Sequence, residues 1–258
     1  MESYSWELSE IYWNTLIMKN NHIIKSIRFY GWISWENPLY IPTKDTIYIW
    51  ERIARKLHEL DYTYWKYDHL YINPINNLEN GILVDWETYD FPECKGVKNF
   101  NFWLDVNYFN SLDDTNKDEI FISITFNLLK KISTQDNLEK VLTVEKLIKS
   151  EWKTLKIKYK EKETKKYKII VSYQIWANSS PATLIVDYFD LLQWNLYHTF
   201  ELPLKYWEHI YYLVDKIIFN NNYILLKPKQ SFVATINNQY YTTPIIIDIS
   251  EMELYETF

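Results

Sequence analysis

The chain has 258 residues, of which 47% are hydrophobic and 24% are charged, and its formal net charge is −6. This composition is typical of globular proteins and excludes a disordered chain, and the length suits one large domain or two of ordinary size. The single cysteine, Cys94, excludes an internal disulfide and a zinc site with several cysteine ligands.

Arginine and glycine are both scarce, with three residues of each. Arginine is the usual reader of phosphates and guanine edges, so its scarcity together with a pI near 5.5 predicts that the protein does not bind nucleic acid. Gly31, Gly81 and Gly96 lie too far apart to form a dinucleotide-binding, P-loop or nucleophile-elbow motif.

The first ten residues are acidic and lack the apolar segment of a secretory signal. No run of about 18 apolar residues follows that could cross a membrane. From these two observations we expect a cytoplasmic protein that is not inserted in a membrane.

The first elements in chain order are a helix over residues 3–19 and extended structure over 22–35. An amphipathic helix then runs from Thr43 to about Leu60, with Arg52 on its polar side. Its predicted buried face repeats at spacings of three and four: Ile47, Trp50, Ile53, Ala54 and Leu57. Strands are predicted over 62–72 and 82–86.

Residues 100–128 predict a β-hairpin. Apolar residues alternate with polar ones from Phe100 to Tyr108 and again from Ile120 to Phe126. The polar segment between these two stretches is rich in residues that favour turns. Trp103 and Asp105 would share the outer face of this hairpin.

The second half of the chain predicts a helix, a lysine-rich hairpin and further strands. The helix covers 134–152, and the hairpin pairs 155–160 with 167–175. Pro203 is expected to open a helix that ends near Phe219. The remaining predicted strands are 182–189, 193–200, 223–227, 231–236 and 239–249, and we expect the tail 251–258 to fray.

These elements predict an α+β fold built from antiparallel sheets and a few amphipathic helices. The element order repeats, and Tyr40-Ile-Pro42 aligns with Glu201-Leu-Pro203. This repetition suggests two similar tandem α+β halves, residues 1–130 and 131–258. The alternative is that both halves pack as a single domain.

The charges are unevenly distributed, because residues 79–119 contain ten acids against three lysines, with aromatic residues between them. Aromatic anchors among carboxylates are what an interface for a basic protein requires. The candidate partner-binding residues are Asp85, Trp86, Glu87, Asp90, Glu93, Trp103 and Asp105.

The same carboxylates allow a second hypothesis, because Asp85 and Glu87 would share one face of a strand. Such a pair could hold a divalent cation or act as an acid and a base. No histidine lies nearby at ligand spacing, so we predict no metal, no cofactor and no catalytic residue.

Three other features have ordinary structural explanations. Asp68 and His69 are sequence neighbours, so in a strand they would point to opposite faces and would not bond. Cys94 lies in no catalytic motif and is expected to be inert. The alternating lysines 156, 158 and 160 would solvate a strand face, bind an anionic polymer, or pair with the acidic block inside the fold.

The leading functional hypothesis is a non-enzymatic protein-binding inhibitor. Its most concrete form is a bacterial immunity protein that occludes a cognate toxin through an acidic, aromatic surface. The alternative is a metal-dependent hydrolase that uses the carboxylates between Asp85 and Glu93. Neither the identity of the partner nor the oligomeric state follows from the sequence.

Overall fold

The computed structural model describes residues 22–29, 32–34, 37–38, 40–75, 83–86, 96–175, 181–192, 196–220 and 222–256. The chain forms two compact units, residues 1–150 and 151–258. The division therefore lies between Ser150 and Glu151, whereas the sequence prediction divided the chain between residues 130 and 131. The predicted helix over 3–19 lies outside the described residues.

The N-terminal unit contains six strands and four helices among its described residues. The strands are β1 (Ser26–Phe29), β2 (Trp32–Ser34), β3 (Asn37–Pro38), β4 (His69–Ile75), β5 (Leu83–Trp86) and β6 (Val97–Trp103). The helices are α1 (Thr46–Glu59), α2 (Val106–Ser111), α3 (Asp114–Ile132) and α4 (Gln135–Glu151).

A four-stranded mixed sheet in the order β1-β4-β6-β5 organises this unit. Strands β1, β4 and β6 are parallel, and β5 is antiparallel to β6. Residues Ser26, His69 and Val97 lie side by side at the start of the three parallel strands. The parallel pairs were not predicted, because parallel strands need a crossover connection that no local pattern specifies.

One face of the mixed sheet is buried against helices. The ring of Phe29 in β1 lies 4.6 Å from Trp50 of α1 and 4.7 Å from Phe121 of α3, measured between ring centroids. Leu70 and Ile72 of β4 are fully buried on this side. Apolar burial of this kind, about 25 cal/mol per Å², is the main source of stability for the unit.

Helix α1 confirms the predicted amphipathic helix, with Ile49, Trp50, Ile53, Ala54 and Leu57 buried. Two side chains were assigned to the wrong side. Ile47 is 65% exposed, and Arg52 is only 1% exposed. The helix therefore buries a charged residue in its apolar face.

The predicted hairpin over 100–128 is wrong. Only its first strand exists, as β6, and residues 106–132 form α2 and α3 instead. In α3 the buried residues Phe121, Ile124, Thr125, Leu128 and Leu129 follow a helical repeat, whereas a strand would bury every second residue. The helix prediction over 134–152 is confirmed by α4.

The C-terminal unit contains eight strands and two short helices among its described residues. The strands are β7 (Ile157–Glu163), β8 (Tyr167–Gln174), β9 (Ala182–Asp190), β10 (Leu196–Leu204), β11 (Lys216–Asn220), β12 (Tyr223–Lys227), β13 (Ile245–Asp248) and β14 (Glu253–Glu256). The helices are α5 (Ile210–Leu213) and α6 (Phe232–Asn238).

These strands form an antiparallel five-stranded sheet, β14-β10-β9-β8-β7, and a three-stranded sheet, β11-β12-β13. The lysine-rich hairpin is confirmed by β7 and β8. The helix expected from Pro203 is wrong, because Pro203 lies in β10 and residues 216–220 are a strand. The tail does not fray over residues 253–256, which pair with β10.

The α+β class is confirmed, but the tandem arrangement is not. The N-terminal unit is built on a mixed sheet and the C-terminal unit on antiparallel sheets. Pro42 precedes a helix, whereas Pro203 lies within a strand, so the aligned segments differ in structure. Within the described part of the chain, no helix combines the length and the apolar character needed to cross a membrane.

Candidate protein-binding surface

The structure places only part of the predicted acidic, aromatic surface. Asp85 and Trp86 lie in β5, whose side chains are not described, and Glu87, Asp90 and Glu93 lie outside the described residues. The other two residues do not share a hairpin face. Trp103 ends β6 and is half-buried, whereas Asp105 precedes helix α2.

Two aspartates explain why the chain turns into helices where strands were predicted. The Asp105 carboxylate accepts a hydrogen bond from the amide of Tyr108 at 2.6 Å, and Asp113 accepts one from the amide of Asn116 at 2.8 Å. Each bond satisfies an amide that has no partner within its helix. Asp105 and Asp113 are therefore the N-caps of α2 and α3.

The acidic block reaches solvent at these two helix starts. Asp113, Asp114 and Glu119 are exposed, and Asp105 is half-buried. No ion pair to these four carboxylates is present among the described residues. We call the four carboxylates, together with Ile41 and Tyr108, the acidic surface.

Two hydrogen bonds join the segment that carries Ile41 to α2 and to the residue just before its N-cap. The amide of Ile41 donates to Asn110 of α2 at 3.0 Å, and Tyr40 donates to the carbonyl oxygen of Leu104 at 2.6 Å. Ile41 is 53% exposed, and Tyr108, two residues before Asn110, is 57% exposed. Large apolar and aromatic side chains that are exposed in this way are what the anchors of a protein interface require.

Lys117 does not offset the acidic charge at the surface. It is the only basic residue between Lys98 and Lys130 in the sequence, and it is 7% exposed. Its Nζ lies 5.6 Å from the centroid of the Phe109 ring, over which it makes a cation–π contact. The exposed charged side chains in the first turns of α3, Asp114 and Glu119, are therefore both acidic.

A cluster of charged and polar side chains joins α1 to α3 near Asp114 of the acidic surface. Thr43 donates a hydrogen bond to Asp118 of α3 at 2.6 Å. Burial raises the pKa of Asp118, as do the neighbouring carboxylates of Asp45 and Asp114, while Thr43 and Arg52 oppose the rise. Burial also lowers the pKa of Arg52 to about 10, against the attraction of Asp45 and Asp118.

The lysine-rich hairpin has described partners within its own unit. Lys156 pairs with Asp187 at 3.3 Å, and Lys168 pairs with Glu163 at 2.8 Å. Lys162 donates to the carbonyl oxygen of Ile217. All the partners that the structure describes for these lysines belong to the C-terminal unit.

A hydrogen bond that was not expected joins Asp68 to His69. Asp68 Oδ1 lies 2.6 Å from His69 Nδ1, and Asp68 Oδ2 lies 2.8 Å from Lys25 Nζ. The prediction that these neighbours would not bond is wrong, because β4 begins at His69 and Asp68 lies in the preceding bend. Alternation between opposite faces therefore does not apply to this pair.

The C-terminal unit exposes an apolar stripe that the sequence prediction missed. Residues 231–236 were predicted as a strand, but Ser231 caps helix α6 by accepting a hydrogen bond from the amide of Ala234. Phe232 is 81% exposed, and Val233, Ile236 and Tyr240 are about half-exposed. The spacings of one and four residues place Phe232, Val233 and Ile236 on one side of α6, which is the signal that could have identified this helix, and Tyr240 follows in the turn after its end.

Among the described residues, no group of three or more histidine, cysteine, aspartate or glutamate side chains could hold a metal ion. Comparison of the chain with protein-family models, with curated proteins and with solved structures gave no match.

Proposed function

We propose that the protein is a non-enzymatic inhibitor that binds a basic protein partner through the acidic surface. The observation that carries this proposal is a set of solvent-accessible carboxylates at the starts of α2 and α3 that have no ion pair among the described residues, in a unit that also exposes Tyr108 and Ile41. The carboxylates would steer a cationic partner, and the apolar side chains would supply the buried centre of the contact.

Capping explains Asp105 and Asp113, and the N-terminal dipole of α3 explains Asp114. Neither capping nor the helix dipole explains the exposed Glu119 or the exposure of Tyr108. A binding role therefore accounts for features that helix stability leaves unexplained.

The most concrete form of the proposal is an immunity protein whose partner is a cognate toxin. Many toxins act on nucleic acids and have a cationic cleft, which an acidic surface complements. The acidic segment between Asp85 and Glu93 is the predicted extension of this surface. The alternative hydrolase would use the same segment, and no observation on the described residues favours it.

The test compares wild-type protein with a variant that carries Tyr108→Ala, Asp114→Asn and Glu119→Gln, which spares both N-caps. Affinity capture from the source cell at low and high salt should recover a basic protein with the wild type and lose it with the variant. A matched control, Asp136→Asn with Glu139→Gln, removes two exposed carboxylates from α4 and should retain the partner. Recovery of the same proteins by all three forms would refute the proposal.

The toxin hypothesis has its own test. The protein encoded beside this gene is expressed in a laboratory bacterium, and growth is followed with and without the inhibitor. Wild-type inhibitor should restore growth, and the three-site variant should not. Growth arrest that persists with the wild type would reject the immunity role while leaving protein binding to the capture experiment.

A further inference from the structure

Helix α6 turns its large apolar side chains away from the core. Phe232, Val233 and Ile236 lie on one side of the helix and are 81%, 51% and 48% exposed, and we call these three residues the α6 stripe. Ala234 and Asn238 are buried on the opposite side. A helix of a globular protein ordinarily directs its apolar side at the core. The arrangement in α6 is the reverse, so packing within this unit does not account for the stripe.

Hydrogen bonds hold α6 in this orientation. Ser231 caps the helix by accepting a hydrogen bond from the amide of Ala234 at 3.2 Å. The side chain of Asn238 donates to the carbonyl oxygen of Tyr212 at 3.2 Å, and the amide of Lys229 donates to the same oxygen at 2.9 Å. The segment is therefore fixed before the helix and at its last residue, and a rotation that buried the stripe would break these bonds.

A lysine lies at each end of the α6 stripe. Lys229 is exposed and precedes the capping residue Ser231 by two positions. Beyond the other end, the exposed Lys205 places its Nζ 3.6 Å from the centroid of the Tyr240 ring, in a cation–π contact. Tyr240 is itself 50% exposed. Two cations and an amphipathic ring thus border the apolar side chains.

The sequence around α6 contains no acid. From Lys216 to Ile247 there is no aspartate or glutamate, although the chain has 34 acids. The charged residues of this stretch are three exposed lysines, Lys216, Lys227 and Lys229. No ion pair to any of the three is present in the part of the chain that the structure describes. The neighbouring segment 205–213 adds Lys205 and one exposed acid, Glu208. The surroundings of α6 are therefore positively charged in a chain with a net charge of −6.

The α6 stripe is small for a protein interface and well suited to a lipid surface. Three side chains on a helix about 10 Å long cover much less than the roughly 800 Å² that each partner buries in a stable protein complex. A bilayer requires no matching shape. Apolar side chains enter the boundary between headgroups and acyl chains, tyrosine rings favour the headgroup level, and lysines are attracted to anionic lipids.

We propose that α6 docks the protein on the surface of an anionic lipid bilayer. Phe232, Val233 and Ile236 enter the interfacial layer, Tyr240 lies at the level of the headgroups, and the flanking lysines contact lipid phosphates. Docking of this kind is peripheral and reversible, and it needs no membrane-spanning helix. The inference is independent of the proposed function, because it uses none of the residues of the acidic surface.

The test measures cosedimentation of the full chain with two kinds of vesicle. One consists of phosphatidylcholine, and the other of phosphatidylcholine and phosphatidylglycerol in equal parts. Each lysine near an anionic surface strengthens binding about fivefold, so the anionic vesicles should bind at least about tenfold more tightly than the neutral ones. This binding should weaken as the salt concentration is raised. No binding to the anionic vesicles, or equal binding to both kinds, overturns the proposal.

Variants assign the binding to α6. Phe232→Ser should weaken binding about tenfold or more, because it removes a large apolar ring from the interfacial layer. Lys229→Gln should weaken it about fivefold. Two matched controls remove side chains of the same kinds elsewhere: Leu142→Ser, at a 48% exposed position of α4, and Lys131→Gln, at an exposed position of α3. Both controls should bind like the wild type. The proposal fails when the α6 variants bind no more weakly than the controls.

A second copy of the chain is the competing occupant of the α6 stripe. Sedimentation equilibrium should find the wild type monomeric, and a dimer that Phe232→Ser dissociates would assign α6 to self-association and overturn the proposal. If the serine variant does not fold, methyl resonances of the wild type on anionic bilayer discs with a spin-labelled lipid decide. Broadening at Val233 and Ile236 supports docking through α6, and broadening confined to other parts of the chain overturns it.

Discussion

The backbone at Gly96 passes so close to the side chain of Asp68 that a Cβ at position 96 would lie 2.6 Å from Asp68 Oδ1. Gly96 also has a φ of +91°, a conformation that residues with a side chain rarely adopt. Position 96 therefore requires a glycine, and it is the carbonyl oxygen of this residue that accepts hydrogen bonds from the amides of Asp68 and His69.

We expect Gly96→Ala to destabilise the protein by about 2 kcal/mol or more, because it adds backbone strain to a steric clash. Urea unfolding followed by circular dichroism measures the loss. The His69 ring resonances should also shift, since Asp68 must move away from the new methyl group. Unchanged stability would show that the close approach is not a constraint.

Asp68→Asn should cost about 1 kcal/mol at pH 7, a charged hydrogen bond discounted for solvent screening. Burial raises the pKa of Asp68, but the hydrogen bonds and charges of Lys25 and His69 outweigh burial and hold the pKa below 3.8. The stability from an acid with a lowered pKa is present above its unfolded pKa and is lost as the pH falls through its folded pKa.

The difference between wild type and Asp68→Asn should therefore shrink as the pH is lowered below about 4, as the carboxylate becomes protonated. Urea unfolding at pH 7, 5, 4 and 3 measures it. The exposed carboxylate of Asp136 supplies the control through Asp136→Asn. A difference for Asp68→Asn that stays constant with pH would contradict the assignment of the ion pair.

Arg52→Ala should destabilise the protein by about 3 kcal/mol or more, because it removes the buried cation that attracts the carboxylates of Asp45 and Asp118. Arg55→Ala provides a matched control on the same helix, since Arg55 is half-buried and pairs with Glu51 at 3.3 Å. That change should cost about 0.5 kcal/mol. Equal losses for the two variants, measured by urea unfolding, would show that Arg52 has no special role.

Replacing Phe232 and Ile236 by serine should change the free energy of unfolding by no more than about 0.5 kcal/mol each, because both are exposed. Fluorescence of the apolar dye anilinonaphthalene sulfonate should fall, since the stripe on α6 is lost. The buried neighbour Ala234 gives the contrast, and Ala234→Leu should cost about 1–3 kcal/mol by overpacking. A large loss of stability in the serine variants would mean that the stripe is covered.

The elements that could be predicted from the sequence are those in which one hydrophobic period extends over most of the helix or strand. Helix α1 shows this, since four of its five predicted core positions are buried, and the hairpin of β7 and β8 keeps its alternation apart from a register shift between Lys158 and Lys160. The stretch from Ile120 to Phe126 alternates like a strand but is shorter than α3. Only when Leu128 and Leu129 are included does the helical repeat emerge.

The sequence predicted the acidic character of the candidate surface but not the secondary structure that carries it. The acidic block does reach solvent at Asp113 and Asp114, but on helix starts rather than on a hairpin face. The burial of Arg52 and the bond between Asp68 and His69 could not be predicted. Both depend on tertiary partners that lie far apart in the sequence or just outside a regular element.

The parallel register of the mixed sheet also bears on how the protein folds. The pairing of β1 with β4 brings Ser26 to His69, and the pairing of β4 with β6 brings His69 to Val97. Each of these two strand pairs must therefore close a long loop before its contacts form. In the C-terminal unit, β8 pairs with β7 and β9, its neighbours in the sequence, so these pairs close much shorter loops. Because loop closure slows non-local pairing, the amides of β8 should gain protection from hydrogen exchange earlier in refolding than those of β4.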